Sequence, residues 1–125
     1  MTDLTGRSVI VVEDLFYLAM EVQAVLKKAG ATVIGPFSTS AAALQSLAKA
    51  TPHFGVLDVN LGEGASFDVA RALRNRSIPF LLFTGYDASG IPAEFADVPR
   101  LEKPVNARRL LDAICAADTS TARLF

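Results

Sequence analysis

Two short and almost entirely apolar segments constrain the fold more than any other feature of the sequence. Ser8–Val12 (SVIVV) and residues 79–83 (PFLLF) are rich in branched or aromatic side chains and show no alternation of apolar with polar residues. Strands of this kind are buried on both faces, as in a parallel sheet that is covered by helices on each side. The two segments therefore predict a helix-covered parallel sheet.

Strand and helix patterns alternate along the rest of the chain. Further strands are predicted at residues 32–34, 54–57 and 100–102. Apolar stripes at helical spacing lie between the strands: Leu15, Leu18, Val22, Leu26 and Ala29 before Gly30; Leu44, Leu47 and Ala48 before Pro52; Phe67, Ala70 and Leu73; and Ala107, Leu110, Leu111 and Ile114 after a possible Asn106 cap. A short helix is predicted near residues 93–96. This alternation predicts a flavodoxin-like, doubly wound α/β domain with strand order 2-1-3-4-5 and helices on both faces.

Length and charge limit the classes of function. The 125 residues, 51% of them hydrophobic, suffice for one domain with a core, and no appended output domain is expected. Twelve Lys and Arg against thirteen Asp and Glu favour neither nucleic acid nor a membrane surface as the partner. A single cysteine, Cys115, excludes a disulfide within the chain. With no secretory leader or membrane-length apolar run, the sequence predicts a cytoplasmic location.

Three acidic residues stand where predicted strands end. Glu13 and Asp14 follow the first strand and Asp58 follows the third. Ligands of open parallel sheets bind beyond the carboxyl ends of the strands, so the three carboxylates are expected to share one pocket. Two such charges about 4 Å apart repel by about 4 kcal/mol at an effective dielectric of about 20, and a hard cation removes that repulsion. Mg²⁺ (or Mn²⁺) fits, with the backbone carbonyl of Asn60 as a further ligand.

Each acid taken alone is more typical of a solvated residue, and Asp14 could cap the first helix. Three acids on one edge favour a functional site instead. On the same edge, Thr84 could donate a hydrogen bond to a phosphoryl oxygen, and Lys103, after the fifth strand, would bring a mobile positive charge. Pro104 could follow Lys103 through a cis peptide bond.

The ordered set of Glu13, Asp14, Asp58, Thr84 and the Lys103-Pro104 pair resembles the response-regulator receiver domain, over roughly residues 7–117. The segment PFLLFTGYD is also similar to the PFxFATGY signature of the FAT GUY subgroup, from which it differs at a leucine and at a phenylalanine that replaces alanine. The resemblance implies a single receiver domain spanning residues 1–125, acting in bacterial two-component signalling.

The resemblance also assigns roles. Asp58 would be the nucleophile that takes a phosphoryl group from the phosphohistidine of a sensor histidine kinase, with Mg²⁺ held by Glu13, Asp14, Asp58 and the Asn60 carbonyl. Thr84 and Lys103 would bind the transferred oxygens. With no output domain, the receiver would signal through protein contacts, as a monomer or weak homodimer with an unknown downstream target, or drain phosphate from a shared kinase.

One position departs from the family pattern. Most receivers carry an aromatic residue three positions before the lysine, and here that residue is Arg100. Tyr86, two residues past Thr84, could take over its role in switching. Asn60 and Tyr86 are also expected to frame the approach of water to the phosphorylated aspartate, and so to set its lifetime.

Two other classes of function remain open. A haloacid-dehalogenase-like phosphatase would need its general acid at Asn60, and an amide cannot supply that proton. A pseudo-receiver that binds partners without phosphate usually lacks an acid or the lysine, whereas this sequence has all of them. His53, the single histidine, is expected away from the acidic edge, which argues against a phosphorelay transmitter.

Overall fold

Five parallel strands form the central sheet of the domain. The computed structural model describes residues 4–61, 64–65, 67–84, 91–104 and 106–122, without the side chains of 60–61, 64–65 and 117–122. The strands are β1 (Ser8–Val12), β2 (Thr32–Phe37), β3 (Phe54–Asp58), β4 (Phe80–Thr84) and β5 (Arg100–Glu102). Their order, β2-β1-β3-β4-β5, confirms the predicted topology. Asn60–Leu61 and Gly64–Ala65 form a separate two-stranded antiparallel pair.

In the described part of the chain, four α-helices connect and cover the strands. They are α1 (Phe16–Lys28), α2 (Ser40–Leu47), α3 (Asp68–Asn75) and α4 (Ala107–Ala122). The short helix predicted near residues 93–96 is a single 3-10 turn, Ala93–Phe95. The predicted Asn106 cap is confirmed, because its Oδ1 accepts the backbone N–H of Arg109 at 3.0 Å.

The residues of β1 alternate between two separate cores. Ile10 and Val12 belong to the core beneath α2 and α3, and Val9 and Val11 belong to the core beneath α1 and α4. All four side chains are almost completely buried. Both faces of the strand are therefore covered, which is why its sequence shows no polar alternation.

The chain lies close to its neighbours at Gly55 in β3. A Cβ atom at this position would lie 2.7 Å from Cδ1 of Leu73 on α3 and 3.2 Å from Cβ of Phe80 on β4. Glycine thus allows α3 to pack directly on the strand that leads to Asp58.

Several local predictions were wrong: Ala48 and Ala107, expected in apolar stripes, are exposed, and two further errors lie in β2 and at Leu15. Strand β2 continues to Phe37 instead of ending at Ile34, because an irregularity between Ile10 and Val12 shifts the pairing so that β1 follows β2 past Gly35 and Pro36. Leu15, expected in the buried stripe of α1, is 40% exposed because it precedes the helix as its N-cap residue.

None of the helices in the part of the chain that the structure describes has the length and apolar character needed to cross a membrane.

Candidate functional site at the carboxyl edge of the sheet

Backbone pairing places the ends of the central strands side by side. Asp58 pairs with Phe83, and Thr84 pairs with Glu102. The ladder continues past the strands, since the N–H of Val59 donates to the carbonyl of Phe83 at 3.0 Å and the N–H of Lys103 donates to the carbonyl of Thr84 at 2.8 Å. The backbones that carry Asp58, Thr84 and Lys103 are therefore held in fixed register.

Three carboxylates meet at this edge, as the sequence predicted. Glu13, Asp14 and Asp58 each offer one carboxylate oxygen, and the three oxygens lie within 4.8 Å of one another. Glu13 and Asp58 are buried, with exposed fractions of 3% and 4%, whereas Asp14 is partly exposed. The cluster thus opens to solvent on the side of Asp14.

The ammonium group of Lys103 lies against two of these acids. Its Nζ atom is 2.9 Å from Oδ1 of Asp58 and 3.3 Å from Oε1 of Glu13. Burial lowers the pKa of Lys103, but hydrogen bonding and charge attraction to Asp58 and Glu13 outweigh that effect and raise it. Lys103 therefore stays protonated and places a positive charge in an otherwise acidic pocket.

Glu13 has a strongly perturbed proton affinity. Burial, followed by its hydrogen bond to Asp58, raises the pKa of Glu13 from 4.5 to about 7. The hydrogen bond that its Oε2 accepts from the N–H of Leu15, at 3.2 Å, acts in the opposite direction. In the absence of a cation, Glu13 thus holds a proton at a higher pH than an ordinary glutamate does.

The donor set fits a hard divalent cation. Carboxylate oxygens are the protein ligands that Mg²⁺ and Mn²⁺ prefer, and three of them lie close enough to share one ion. Oε1 of Glu13 is also buried, and among the described residues it makes no well-formed hydrogen bond beyond its 3.3 Å ion pair with Lys103. A cation would satisfy this atom and offset the repulsion within the cluster.

Comparison with known proteins agrees with this geometry. A family model described as the response regulator receiver domain matches residues 9–115. The chain belongs to this family. No curated protein sequence matches it.

Solved receivers share the architecture over nearly the whole chain. SdrG from Sphingomonas melonis Fr1 is 34% identical, with a TM-score of 0.79 over 93% of this chain and 98% of that one. The BeF3-activated conformation of SdrG, from Pseudomonas melonis Fr1, is also 34% identical, with a TM-score of 0.74 over 91% and 98%. The receiver domain of Erythrobacter litoralis PhyR is 20% identical and shows the same fold, with a TM-score of 0.80 over 90% of each chain.

The structure brings together only part of the residue set that was predicted for this receiver. Thr84 ends β4 with its side chain buried, and the peptide bond between Lys103 and Pro104 is cis. Arg100, which stands in the usual aromatic position, is exposed on β5. The side chain of Asn60 and all of Tyr86 lie outside the described residues, so their roles in switching and lifetime stay predictions.

Sequence reasoning missed two features of the site. The Glu13 side chain accepts the N–H of Leu15, the N-cap residue of α1, and Lys103 contacts Glu13 as well as Asp58. Leu15 and not Asp14 occupies the N-cap position of α1. A sequence pattern does not distinguish Glu13 from Asp14, because both follow β1 and only the folded backbone decides which of them turns inward.

Proposed function

We propose that this receiver accepts a phosphoryl group on Asp58 from the phosphohistidine of a sensor histidine kinase. The observation that carries the proposal is the placement of Asp58, buried at the end of β3, with Lys103 at 2.9 Å and two further carboxylates within 4.8 Å. Pairing with Lys103 alone could serve only to neutralise a buried carboxylate, but two further carboxylates at the same place have no such structural use. A nucleophile that must accept a dianionic group does need such a surrounding.

The transfer exchanges one bond for another. A carboxylate oxygen of Asp58 forms a bond to phosphorus, the bond between phosphorus and the imidazole nitrogen breaks, and that nitrogen keeps the electron pair. Lys103 then shifts from the carboxylate toward an oxygen of the phosphoryl group, and the hydroxyl of Thr84 donates to another. Catalysis by this chain consists mainly of positioning and charge neutralisation.

Glu13, Asp14 and Asp58, with the backbone carbonyl of Asn60, are the residues that would hold Mg²⁺. The bound ion would supply positive charge that offsets repulsion between the acidic cluster and the incoming phosphoryl group. Because Glu13 is protonated in part of the molecules near neutral pH, this residue must release its proton when it becomes a ligand.

The surface beside the pocket suits a protein donor. Four apolar residues at the start of α1, here called the α1 patch, are exposed: Leu15, Phe16, Tyr17 and Met20. Phe16 and Tyr17 are 78% and 66% exposed, and the patch begins one residue after Asp14. Exposed aromatic residues of this kind are typical of protein interfaces. We therefore expect a kinase that delivers phosphate to Asp58 to dock over this rim of the pocket.

The downstream signal passes through protein contacts of the receiver itself, or the receiver drains phosphate from a kinase that it shares with another protein. Both roles use the same acceptor chemistry. A long-lived phosphorylated form supports the first role, and rapid hydrolysis supports the second.

Incubation with acetyl phosphate and Mg²⁺, followed by intact-protein mass spectrometry, tests the acceptor. The wild type should gain the mass of one phosphate, Asp58→Asn should gain none, and Asp112→Asn, an exposed aspartate on α4, should behave as the wild type. Equal labelling of Asp58→Asn would show that the acceptor is another residue. A folded wild type that is never labelled would favour a pseudo-receiver, and continuous release of phosphate in many turnovers would favour a phosphatase.

A further inference from the structure

The connection between β4 and β5 contains one helical turn, Ala93–Phe95, within its described part. An isolated turn of this length is not stable, because the cost of fixing its backbone exceeds the gain from one hydrogen bond. Its position must therefore come from tertiary contacts. The structure shows two kinds of contact, one apolar and one ionic.

The apolar contact is made by Phe95, which is completely buried. Its ring stacks on Phe67 with the centroids 5.6 Å apart, and it meets Phe80 edge to face at 6.0 Å. Phe67 immediately precedes α3 and Phe80 begins β4. One ring therefore joins the 3-10 turn to the start of α3 and to the start of β4.

The ionic contact comes from two arginines one turn apart on α3. Arg71 donates from Nε to Oε1 of Glu94 at 2.8 Å, and its second guanidinium nitrogen lies 2.7 Å from the same oxygen. Arg74 donates to the backbone carbonyl of Glu94 and to both carboxylate oxygens of Asp97, at 3.0 and 3.2 Å. The guanidinium carbons of Arg71 and Arg74 lie 5.9 and 5.2 Å from the centre of the Phe95 ring.

These five residues, Arg71, Arg74, Glu94, Phe95 and Asp97, form what is here called the arginine clamp. Each ion pair is at the surface, and a single surface pair contributes little to stability. The clamp differs from a single pair because Arg74 binds both a side chain and the backbone of the turn, while both cations also lie over one buried ring. Hydrogen bonding to Arg74 lowers the pKa of Asp97, so Asp97 stays charged under ordinary conditions.

The clamp lies between the two chain segments that serve the site. Helix α3 follows the segment that leaves Asp58, and the 3-10 turn lies between Thr84 and Lys103. Directly after the turn, the N–H of Leu82 donates to the carbonyl of Pro99 at 2.9 Å, which starts the pairing of β5 with β4. The turn is thus connected through Pro99 to β5, the strand that precedes Lys103.

Building on the proposed acceptor function, we infer that the arginine clamp is a positioning device that holds the β4–β5 connection so that Thr84 and Lys103 are ready to bind a phosphoryl group on Asp58. Without the clamp, phosphorylation would first have to order the connection, and that cost would reduce the apparent affinity for phosphate. The clamp residues act through Thr84 and Lys103 and touch no reacting atom.

Arg74→Ala tests the inference, with Arg76→Ala as the matched control. Arg76 lies at the end of the same helix, but it donates to the carbonyl of Leu47 and the hydroxyl of Thr51, on the side of α2. Both variants lose hydrogen bonds of one arginine, so urea unfolding should reveal similar general losses of stability. Only Arg74→Ala removes contacts with the 3-10 turn.

The first measurement is amide hydrogen exchange in the turn. The N–H groups of Phe95, Ala96 and Val98 donate to the carbonyls of Pro92, Ala93 and Phe95, respectively, at 3.0 to 3.1 Å. Exchange at these three amides should be about 5 to 20 times faster in Arg74→Ala and unchanged in Arg76→Ala. In about 1 M salt the wild type should approach Arg74→Ala, because ion pairs at the surface are screened.

The second measurement is the affinity for beryllofluoride, a phosphoryl analogue, in the presence of Mg²⁺. Arg74→Ala should bind it several-fold more weakly than Arg76→Ala or the wild type. Arg74→Lys should recover little of this affinity, since lysine keeps the positive charge but lacks the planar guanidinium group, which can donate several hydrogen bonds at once. Combining Arg74→Glu with Asp97→Arg should restore part of the slow amide exchange in the turn and part of the affinity for beryllofluoride. Faster exchange with unchanged affinity would overturn the positioning role, and unchanged exchange would show that no clamp exists.

The two proposals fail in different ways. A wild type that does not bind beryllofluoride would overturn the acceptor role, and with it the effect of the clamp on phosphate binding. The exchange rates at Phe95, Ala96 and Val98 would still decide whether the arginines hold the turn.

Discussion

The Nζ atom of Lys103 lies 2.9 Å from Oδ1 of Asp58, so the buried carboxylate that we propose as the acceptor is already paired with a cation. Lys103 is joined to β4 by the hydrogen bond from its own N–H to Thr84. When the negative charge at Asp58 moves outward onto a phosphoryl group, the ammonium group must follow it. The contact therefore links the chemistry of Asp58 to the position of β5.

Replacing Lys103 with Ala should slow labelling by acetyl phosphate without abolishing it. Loss of a charge-assisted hydrogen bond costs about 1.5 to 3 kcal/mol, or about 10- to 100-fold in rate. The variant should also fail to switch, because no cation remains to draw the end of β5 toward the new charge. Amide chemical shifts of residues 100–103 should move on phosphorylation in the wild type and in Lys49→Ala, an exposed control, but not in Lys103→Ala. Equal shifts in all three proteins would contradict the coupling.

Glu13 should make the stability of the cation-free protein depend on pH. Its pKa is about 7 in the folded state against an ordinary 4.5, so the folded state binds this proton more tightly than the unfolded state. The resulting stabilisation is fully present below about pH 4.5 and is lost as the pH rises through about 7. The free energy of unfolding should therefore fall by up to about 3 kcal/mol across this interval. Asp97, whose pKa is lowered, affects the pH dependence of the unfolding free energy only at more acidic pH.

Urea unfolding in the presence of a chelator, between about pH 5 and about pH 8, measures this effect. Glu13→Gln keeps the hydrogen-bonding shape but cannot titrate, so its unfolding free energy should change less over the same range. Added Mg²⁺ should restore stability at the alkaline end, where the carboxylates are charged and repel each other. A wild type and a Glu13→Gln variant with parallel pH profiles would show that Glu13 is not the titrating group.

Gly55 should tolerate no side chain, because α3 packs directly over it. Gly55→Ala would bring the new methyl group to 2.7 Å from Cδ1 of Leu73, and overpacking of this kind costs about 1 to 3 kcal/mol. In Leu73→Ala, which costs about 2 to 5 kcal/mol by itself, the closest of these contacts is removed and only the 3.2 Å contact with Cβ of Phe80 stays tight. The double variant should thus lose clearly less stability than the sum of the two single losses, as measured by urea unfolding. Strict additivity would mean that the two positions do not contact each other.

Sequence reasoning predicted the sheet and the acidic cluster for the same physical reason. Segments such as SVIVV are apolar throughout because both faces of each central strand are covered, and parallel strands necessarily bring their carboxyl ends to one edge. Once the strand order was predicted, Glu13, Asp14 and Asp58 had to converge. The exposure of Leu15 was not predictable in this way, because it depends on where α1 begins within a continuous apolar stripe.

The arginine clamp could not be predicted from the sequence. Its partners are 20 to 23 residues apart along the chain, and Arg71 and Arg74 have the spacing of any solvated helix face. Only tertiary packing of Phe95 brings Glu94 and Asp97 to them. Local periodicity reports burial, but it carries no information on which distant charges will meet.

The α1 patch should affect phosphotransfer from a kinase but not labelling by a small donor. Phe16 and Tyr17 are mostly exposed and lie beside the pocket, yet neither contributes to the buried core of the described residues. Truncating a central aromatic residue of a protein interface typically costs more than 1 kcal/mol. Phe16→Ala and Tyr17→Ala should therefore lower kcat/KM for transfer from an autophosphorylated sensor kinase by about 5-fold or more.

Labelling by acetyl phosphate distinguishes an effect on kinase binding from an effect on the phosphoryl-transfer step, because this small donor reaches Asp58 without covering α1. Its labelling rate should be the same in the wild type, Phe16→Ala and Tyr17→Ala, since these substitutions leave Asp58, Lys103 and the acidic cluster in place. Arg108→Ala, an exposed control at the start of α4, should affect neither donor. If Phe16→Ala slows both donors equally, Phe16 supports the pocket and not the partner. If it slows neither, the kinase docks on another face of the domain.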